Sequence, residues 1–332
     1  MLWNLPISIK TLRGGRFVRG CLLVTAGVMV LRATSFNVSF DPSTSSAPPQ
    51  FFKAFDDALA FYQSAFADPV NINLQVGWGE VGWQSVGFSF VGESLTYQSG
   101  SFPYAQVRGA LVDDAKTKAD AMAVGSLSVT DPTGGRPFLM ANAEAKALGL
   151  LVGNASGIDG AVGFSSTVAY AFDPEQRSGA GKYDFIGLAE HEVSEVMGRY
   201  GMPQNGVYTP LDLFRYASPG VLDLVPQNGA YFSIDGGQTA INFFNGPGGG
   251  DLGDWVGLTP DSYNAFVPTG TELRVSPGDI TAMDSIGYDA VPEPRTLGLS
   301  GLACAIVLAW LWRGSVVLPR CLTACFPQIR RH

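Results

Sequence analysis

Residues 36 to 290 contain no cysteine; the four cysteines stand at positions 21, 304, 321 and 325. A segment of this kind cannot be held by disulfides, so a packed core has to stabilise it, with bound metal as the remaining help. Of the 332 residues, 46% are hydrophobic, enough for such a core in one large or two small domains. The formal net charge of -8, with no basic patch in the central region, leaves nothing to meet a phosphate backbone and excludes nucleic acid as a partner.

Both ends differ from this middle. Residues 1 to 35 place Lys10, Arg13, Arg16 and Arg19 before the apolar run CLLVTAGVMVL, followed by small residues around Ala33 and Ser35. Charge, short apolar stretch and small-residue site come in the order of a secretory signal peptide. The run falls short of the ~20 residues that a retained membrane anchor needs. At the other end an uncharged stretch over 296–312 runs between Arg295 and Arg313, which predicts a transmembrane helix rather than a core helix.

The segment 291–332, with Pro292, Glu293 and Pro294 ahead of that stretch and basic residues after it, resembles the PEP-CTERM sorting signal of Gram-negative exopolysaccharide-producing bacteria. The resemblance implies an exosortase and the secretion machinery as partners, export across the inner membrane, membrane contact through the C-terminal helix, and delivery to the cell surface or extracellular matrix. The chain departs from that pattern in continuing with GSVVLPRCLTACFPQIRRH.

Between the ends, 36–290 reads as a single domain with insertions. FNVSFD alternates as a first strand. Residues 50–66 repeat apolar side chains at Phe51, Phe55, Ala58, Leu59, Tyr62 and Phe66, a helical spacing. VNINLQVGWGEV and VGFSFVG follow as strands, DAKTKADAMAVG and MANAEAKALGL as helices, and GAVGFSSTVAYAF as a strand leading into a helix over 184–198. Beyond 201 the chain is rich in Gly, Pro, Asn and Asp. A hairpin is expected in AYFSIDGGQTAINFF with its turn at Asp235-Gly236. FNGPGGGDLGDW reads as a loop whose Asp251 and Asp254 suit either calcium or a plain turn. SPGDITAMDSIGY reads as a short helix capped by Ser276 or Asp279 and ended by Gly287. This order predicts an α+β fold, a mixed sheet with helices on one side.

The stretch GLAEHEVSEVMGRYG carries the chemistry. At 100° per residue, Phe185, Leu188, Ala189, Val193, Val196 and Met197 form the core-facing arc. His191 and Glu195, four apart, stack on one flank, with Glu192 between flank and core. Two ligands one turn apart beside a glutamate are what a metal hydrolase of the HExxH kind uses. His191 is then the first metal ligand, Glu195 the second, and Glu192 the general base. Carboxylate oxygen is an accepted zinc ligand, although it makes the site harder and more tolerant of manganese. On spacing alone, half of the HExxH pattern reads more readily as an ordinary charged helix face than as a metal site.

HEVSEVMGR, together with TPLDLFRYASPGV, YFSIDGGQT and GDLGDW, resembles exported bacterial proteins classed as PEP-CTERM metalloproteases with an HEISEVMGR-like, metzincin-like motif. That resemblance implies a metzincin-like sheet with an active-site helix, a divalent metal (zinc, with manganese as alternative) and protein or peptide substrates. His191, Glu192 and Gly198 keep the longer metzincin pattern. Glu195 and Gly201 stand where it has histidines, and no Met-turn is evident. Asp212 follows the helix at about the distance where aspartate-type zincins place a third ligand; a helix cap or a salt bridge to Arg215 is the alternative reading. Asp223, Asp235 and Tyr208 are weaker candidates, and Arg199 is expected to pair with the carboxylates and hold the helix end. The replaced histidines leave a second reading open, a catalytically inactive binding protein of the surface or matrix on a protease scaffold.

Overall fold

The computed structural model describes residues 34–203, 206–257 and 259–292. The expected signal segment before Thr34 and the sorting signal with its 296–312 helix lie outside these residues. No helix among the described residues is long and apolar enough to cross a membrane.

The fold is a mixed α+β arrangement with several small sheets. The main sheet has four strands in the order Ser35–Phe40, Asn71–Trp78, Gly160–Phe164, Gly92–Thr96. The first three run parallel and the last is an antiparallel edge. A second four-stranded sheet is built from Arg215–Ser218, Val221–Leu222, Tyr231–Phe232 and Asn242–Phe243.

Among the described residues six α-helices join these strands. α1 (Pro49–Ala65) starts with proline in its first turn, where the missing N–H is no loss. Its residues Phe51, Phe55, Ala58, Leu59 and Tyr62 are all buried, as the helical spacing requires. α2 (Tyr104–Asp114), α3 (Lys118–Ser126) and α4 (Asn142–Ala147) follow. α5 (Phe185–Val196) packs against α1 and against the strands Gly92–Thr96 and Gly160–Phe164. α6 (Pro277–Ser285) is capped by Ser276 in a reciprocal box with Asp279.

Several sequence expectations are corrected. Residues 86–91 form no strand, because Phe90 N–H donates to Gly87 O at 2.9 Å in a turn that leaves Phe88 and Phe90 exposed. The run 160–172 is two strands. It breaks after Phe164, where Ser165 Oγ accepts from Thr167 N at 3.3 Å and takes the backbone off the ladder. In the hairpin Phe232 pairs with Asn242, so Asp235-Gly236 sits in a long connection rather than a two-residue turn.

The core is aromatic around the start of α5. Phe185 stands 4.7 Å from Phe164, 4.9 Å from Phe172, 5.2 Å from Phe51 and 5.5 Å from Tyr170 between ring centroids. It joins α1, the main sheet and α5 at one point and fixes how α5 lies on the sheet. Phe185→Ala should cost about 3–5 kcal/mol, read as a drop in the denaturant midpoint at unchanged slope. A loss under about 1 kcal/mol would mean that this cluster does not seat the helix.

Candidate metal centre on helix α5

Both ends of α5 are fixed by polar contacts. At its start Asp184 accepts from Gly187 N at 3.3 Å and from Leu273 N at 2.8 Å, and Arg177 Nε donates to both its oxygens at 2.9 Å. At its end Gly198 adopts φ +120°, while Gly198 N donates to Glu195 O and Arg199 N to Ser194 O, each at 3.0 Å. This is a Schellman closure, and the glycine expected there from sequence occupies the left-handed position. It turns Arg199 back beneath the last turn.

The whole helix is buried, not only the arc the wheel assigned to the core. On the flank facing the sheet edge, Ser94 Oγ donates to Glu195 Oε2 at 2.7 Å and Thr96 Oγ1 to Glu195 O at 3.0 Å. On the α1 side, Tyr62 OH donates to Glu190 O at 2.6 Å and lies 3.0 Å from Tyr263 OH. The Gly-rich loop before Trp255 and the segment after it bring Asp254 and Ser262 over the helix.

His191, Glu195 and Asp254 converge there. His191 Nε2 is 3.3 Å from Glu195 Oε1 and 3.5 Å from Asp254 Oδ1. Donors held tetrahedrally at about 2.0–2.2 Å from one ion stand about 3.3–3.6 Å apart, so these spacings fit the edges of a zinc site. His191 Nδ1 faces Ser262 O at 2.8 Å, a contact that places the ring proton on Nδ1 and turns the Nε2 lone pair toward the two carboxylates. Lone pair against carboxylate oxygens is repulsive unless a proton or a cation lies between them. Glu195 Oε1 is buried and accepts no hydrogen bond, which leaves it free for the same cation.

The electrostatics reflect that demand. Burial works against charge on His191, but Asp254 and then Glu195 outweigh burial and Arg199 and raise it to about 10. Burial pushes Glu195 up, yet His191 and Arg199 hold it below the ordinary carboxylate range. Glu192 is raised well above that range, by burial first and then by Glu195. Its carboxylate lies against the edge strand: a Cβ on Gly92 would come within 2.5 Å of Glu192 Oε1.

Arg199 has the structural part expected of it. It is wholly buried, donates to Asp254 Oδ1 at 2.6 Å and to Ser194 Oγ at 2.7 Å, and lies 4.3 Å over the Tyr263 ring. Its Nη2 is also 3.6 Å from Glu195 Oε1.

Asp212 does not join the cluster. It closes a capping box for the 3-10 helix Pro210–Phe214, accepting from Thr209 N at 2.8 Å and Met202 N at 3.3 Å. The cap reading of Asp212 therefore holds, and Asp254 stands where a third ligand was sought. Asp223 is the partner of Arg215 at 2.9 Å. Asp235 accepts from Ser233 Oγ and Thr239 N within its own turn, and Tyr208 OH donates to Leu224 O at 3.5 Å. Sequence reasoning had weighed Asp254 only with Asp251 as a calcium loop. The signal for its place was the glycine before it: a Cβ on Gly253 would come within 2.7 Å of Tyr200 Cα, so only glycine lets this loop reach the end of α5.

No protein-family model, curated protein or solved structure matches this chain.

With divalent ions removed, the site keeps its proton on His191. A base raised on folding from 6.5 to about 10 lends stability that is full below about 6.5 and is lost as pH rises through about 10. The melting temperature of ion-stripped protein should fall between about pH 7 and 10, and fall less in His191→Gln. Equal slopes in the two proteins would sink the protonated cluster.

Proposed function

We propose that the chain is an exported, surface-associated, metal-dependent peptidase with a metzincin-like active-site helix. The observation that carries this reading is the convergence of His191 Nε2, Glu195 Oε1 and Asp254 Oδ1 at 3.3 and 3.5 Å, with Nδ1 already engaged by Ser262. These three residues would hold a divalent ion. One imidazole and two carboxylates admit zinc and, through their oxygen donors, manganese. When bound, the ion would polarise the scissile carbonyl and acidify the attacking water.

The chain's own residues do the rest. Ser262 fixes the His191 ring, Ser94 holds Glu195 by its second oxygen, and Arg199 holds Asp254. Glu192 is the general base: a carboxyl whose proton affinity is raised by burial can take a proton from water and give it to the leaving amine. Gly92 leaves room for that carboxylate. The Gly92–Thr96 strand pairs on one side only among the described strands, so its open edge is available to an extended peptide by strand addition. The exported placement rests on residues 1–35 and 291–332.

One observation favours a second reading. Arg199 contacts the same oxygens, Asp254 Oδ1 and Glu195 Oε1, that would face the ion. If Arg199 and a protonated His191 neutralise the carboxylates unaided, the chain is a non-catalytic surface or matrix binding protein.

Metal content and hydrolysis separate the two. Full-length protein should carry about one zinc or manganese per chain, lost in His191→Ala. Glu192→Gln should keep the metal while peptide hydrolysis falls by about 10²–10⁴-fold. Protein free of transition metal, with a melting temperature indifferent to a transition-metal chelator, would establish the second reading instead.

A further inference from the structure

One buried carboxylate of α5 has no part in the roles above. Glu190 stands directly before His191 and is buried like it. Adjacent helical residues point about 100° apart, so the two side chains leave α5 on different bearings. Ser262 meets both. Its Oγ donates to Glu190 Oε2 at 3.0 Å, while its carbonyl oxygen faces His191 Nδ1 at 2.8 Å. The serine is wholly buried, and its amide donates to Arg274 O at 3.0 Å.

A carbonyl orients an imidazole only if it is itself held. With the amide on Arg274 and the hydroxyl on Glu190, Ser262 is gripped on two sides of the Cα from which that carbonyl projects. Glu190 is fixed in turn, since its own carbonyl accepts from Tyr62 OH at 2.6 Å. Pairing with Arg177 is the other use open to its carboxylate, with Arg177 Nη2 at 3.6 Å from Oε2. Arg177 is already matched: its Nε donates to both oxygens of Asp184 at 2.9 Å and its Nη2 to Leu273 O at 2.7 Å. The shorter contact of Glu190 is the one to the Ser262 hydroxyl, and that contact leads to the ligand.

We propose, resting on the α5 cluster read above as a metal centre, that Glu190 is its positioning residue: through the Ser262 hydroxyl it fixes the carbonyl that orients the His191 ring. Ligating histidines are held through their second ring nitrogen, and loss of such outer partners costs about 10–100-fold in metal affinity. Glu190 acts one bond further out, which puts its effect at the lower end of that range.

The test uses full-length protein stripped of divalent ions, whose two histidines are His191 and His332. His332→Gln assigns the His191 Nδ1 proton by nitrogen-edited NMR. In Glu190→Ala and in Ser262→Ala that proton should exchange with water about tenfold faster, and zinc should bind about tenfold more weakly. Glu190→Gln should keep both values within about twofold, because its amide oxygen still accepts from the Ser262 hydroxyl. Glu190→Ala combined with Ser262→Ala should lose no more than either alone, since both sever one bond. Unchanged proton exchange in Glu190→Ala, an equal loss in Glu190→Gln, or additive losses in the double variant overturns the assignment. Should Glu190→Ala fail to fold, Ser262→Ala decides by its proton exchange. Wild-type protein that takes up no zinc defeats the metal reading alone, and proton exchange in the same variants then still decides for or against Glu190.

Discussion

A guanidinium with no exposure to solvent has to be given partners, and the C-terminal half of α5 is arranged around that requirement. Arg199 finds Asp254, Ser194 Oγ, the Gly253 carbonyl and the face of Tyr263. The partners come from three parts of the chain, so the charge is satisfied only when the helix end, the Gly-rich loop and the segment after Trp255 are all in place. Removing one member of a buried pair costs several kcal/mol, on the order of 3–5, because the other is left charged and unpaired. The same contacts aim Asp254 at His191, so the ion pair that closes the fold also assembles the candidate site.

Close approach of backbone makes this possible, and glycine supplies it at three points. Gly198 accepts the positive φ that sends Arg199 back under the helix. Gly253 lets the loop lie against Tyr200, and Gly92 lets the sheet edge lie against Glu192. None of these positions has a side-chain role. Each sets how closely the chain packs at α5: a single Cβ at Gly253 would push the loop off the helix end, and one at Gly92 would displace the Glu192 carboxylate.

Local pattern made much of the frame legible. α1 followed from apolar spacing, α5 from its core arc and α6 from its Ser276–Asp279 box, because each element's cause lies within its own residues. α2 was missed. Its buried Tyr104, Val107 and Leu111 keep helical spacing, but Gly109 interrupts the run and Pro103 stands before it. At the site, His191, Glu192 and Glu195 were readable because one helix carries them. Asp254 and Ser262 were not, since nothing local to a Gly-rich loop says which helix it will cover. Asp212 was chosen for its distance along the sequence, whereas the capping demand of Thr209 and its own short helix had already taken its carboxylate.

The remaining question at α5 is which positive charge sits beside His191, and counting charges narrows it. Glu192, Glu195, Asp251 and Asp254 act on one another across the site, and among the described residues Arg199 is the fixed cation that faces them. Asp251 is exposed, so three buried acids stand against Arg199 and leave two negative charges; a proton on His191 leaves one and a divalent ion would leave none. Without an ion the acids answer by holding protons: Glu195 and then burial push Asp251 up to about 7, and burial and then Glu195 raise Glu192 well above the ordinary carboxylate range. A site built only for an ion pair would need two carboxylates opposite Arg199 and His191, and here a third buried carboxyl, Glu192, stands beside them. That third carboxyl is costly in a buried site unless it holds a proton, and a divalent ion at His191 would give its charge a use. That surplus of carboxylate weighs more than the contact of Arg199 with two of the oxygens, because Asp254 Oδ1 has a second lone pair and Glu195 Oε1 takes no hydrogen bond at all.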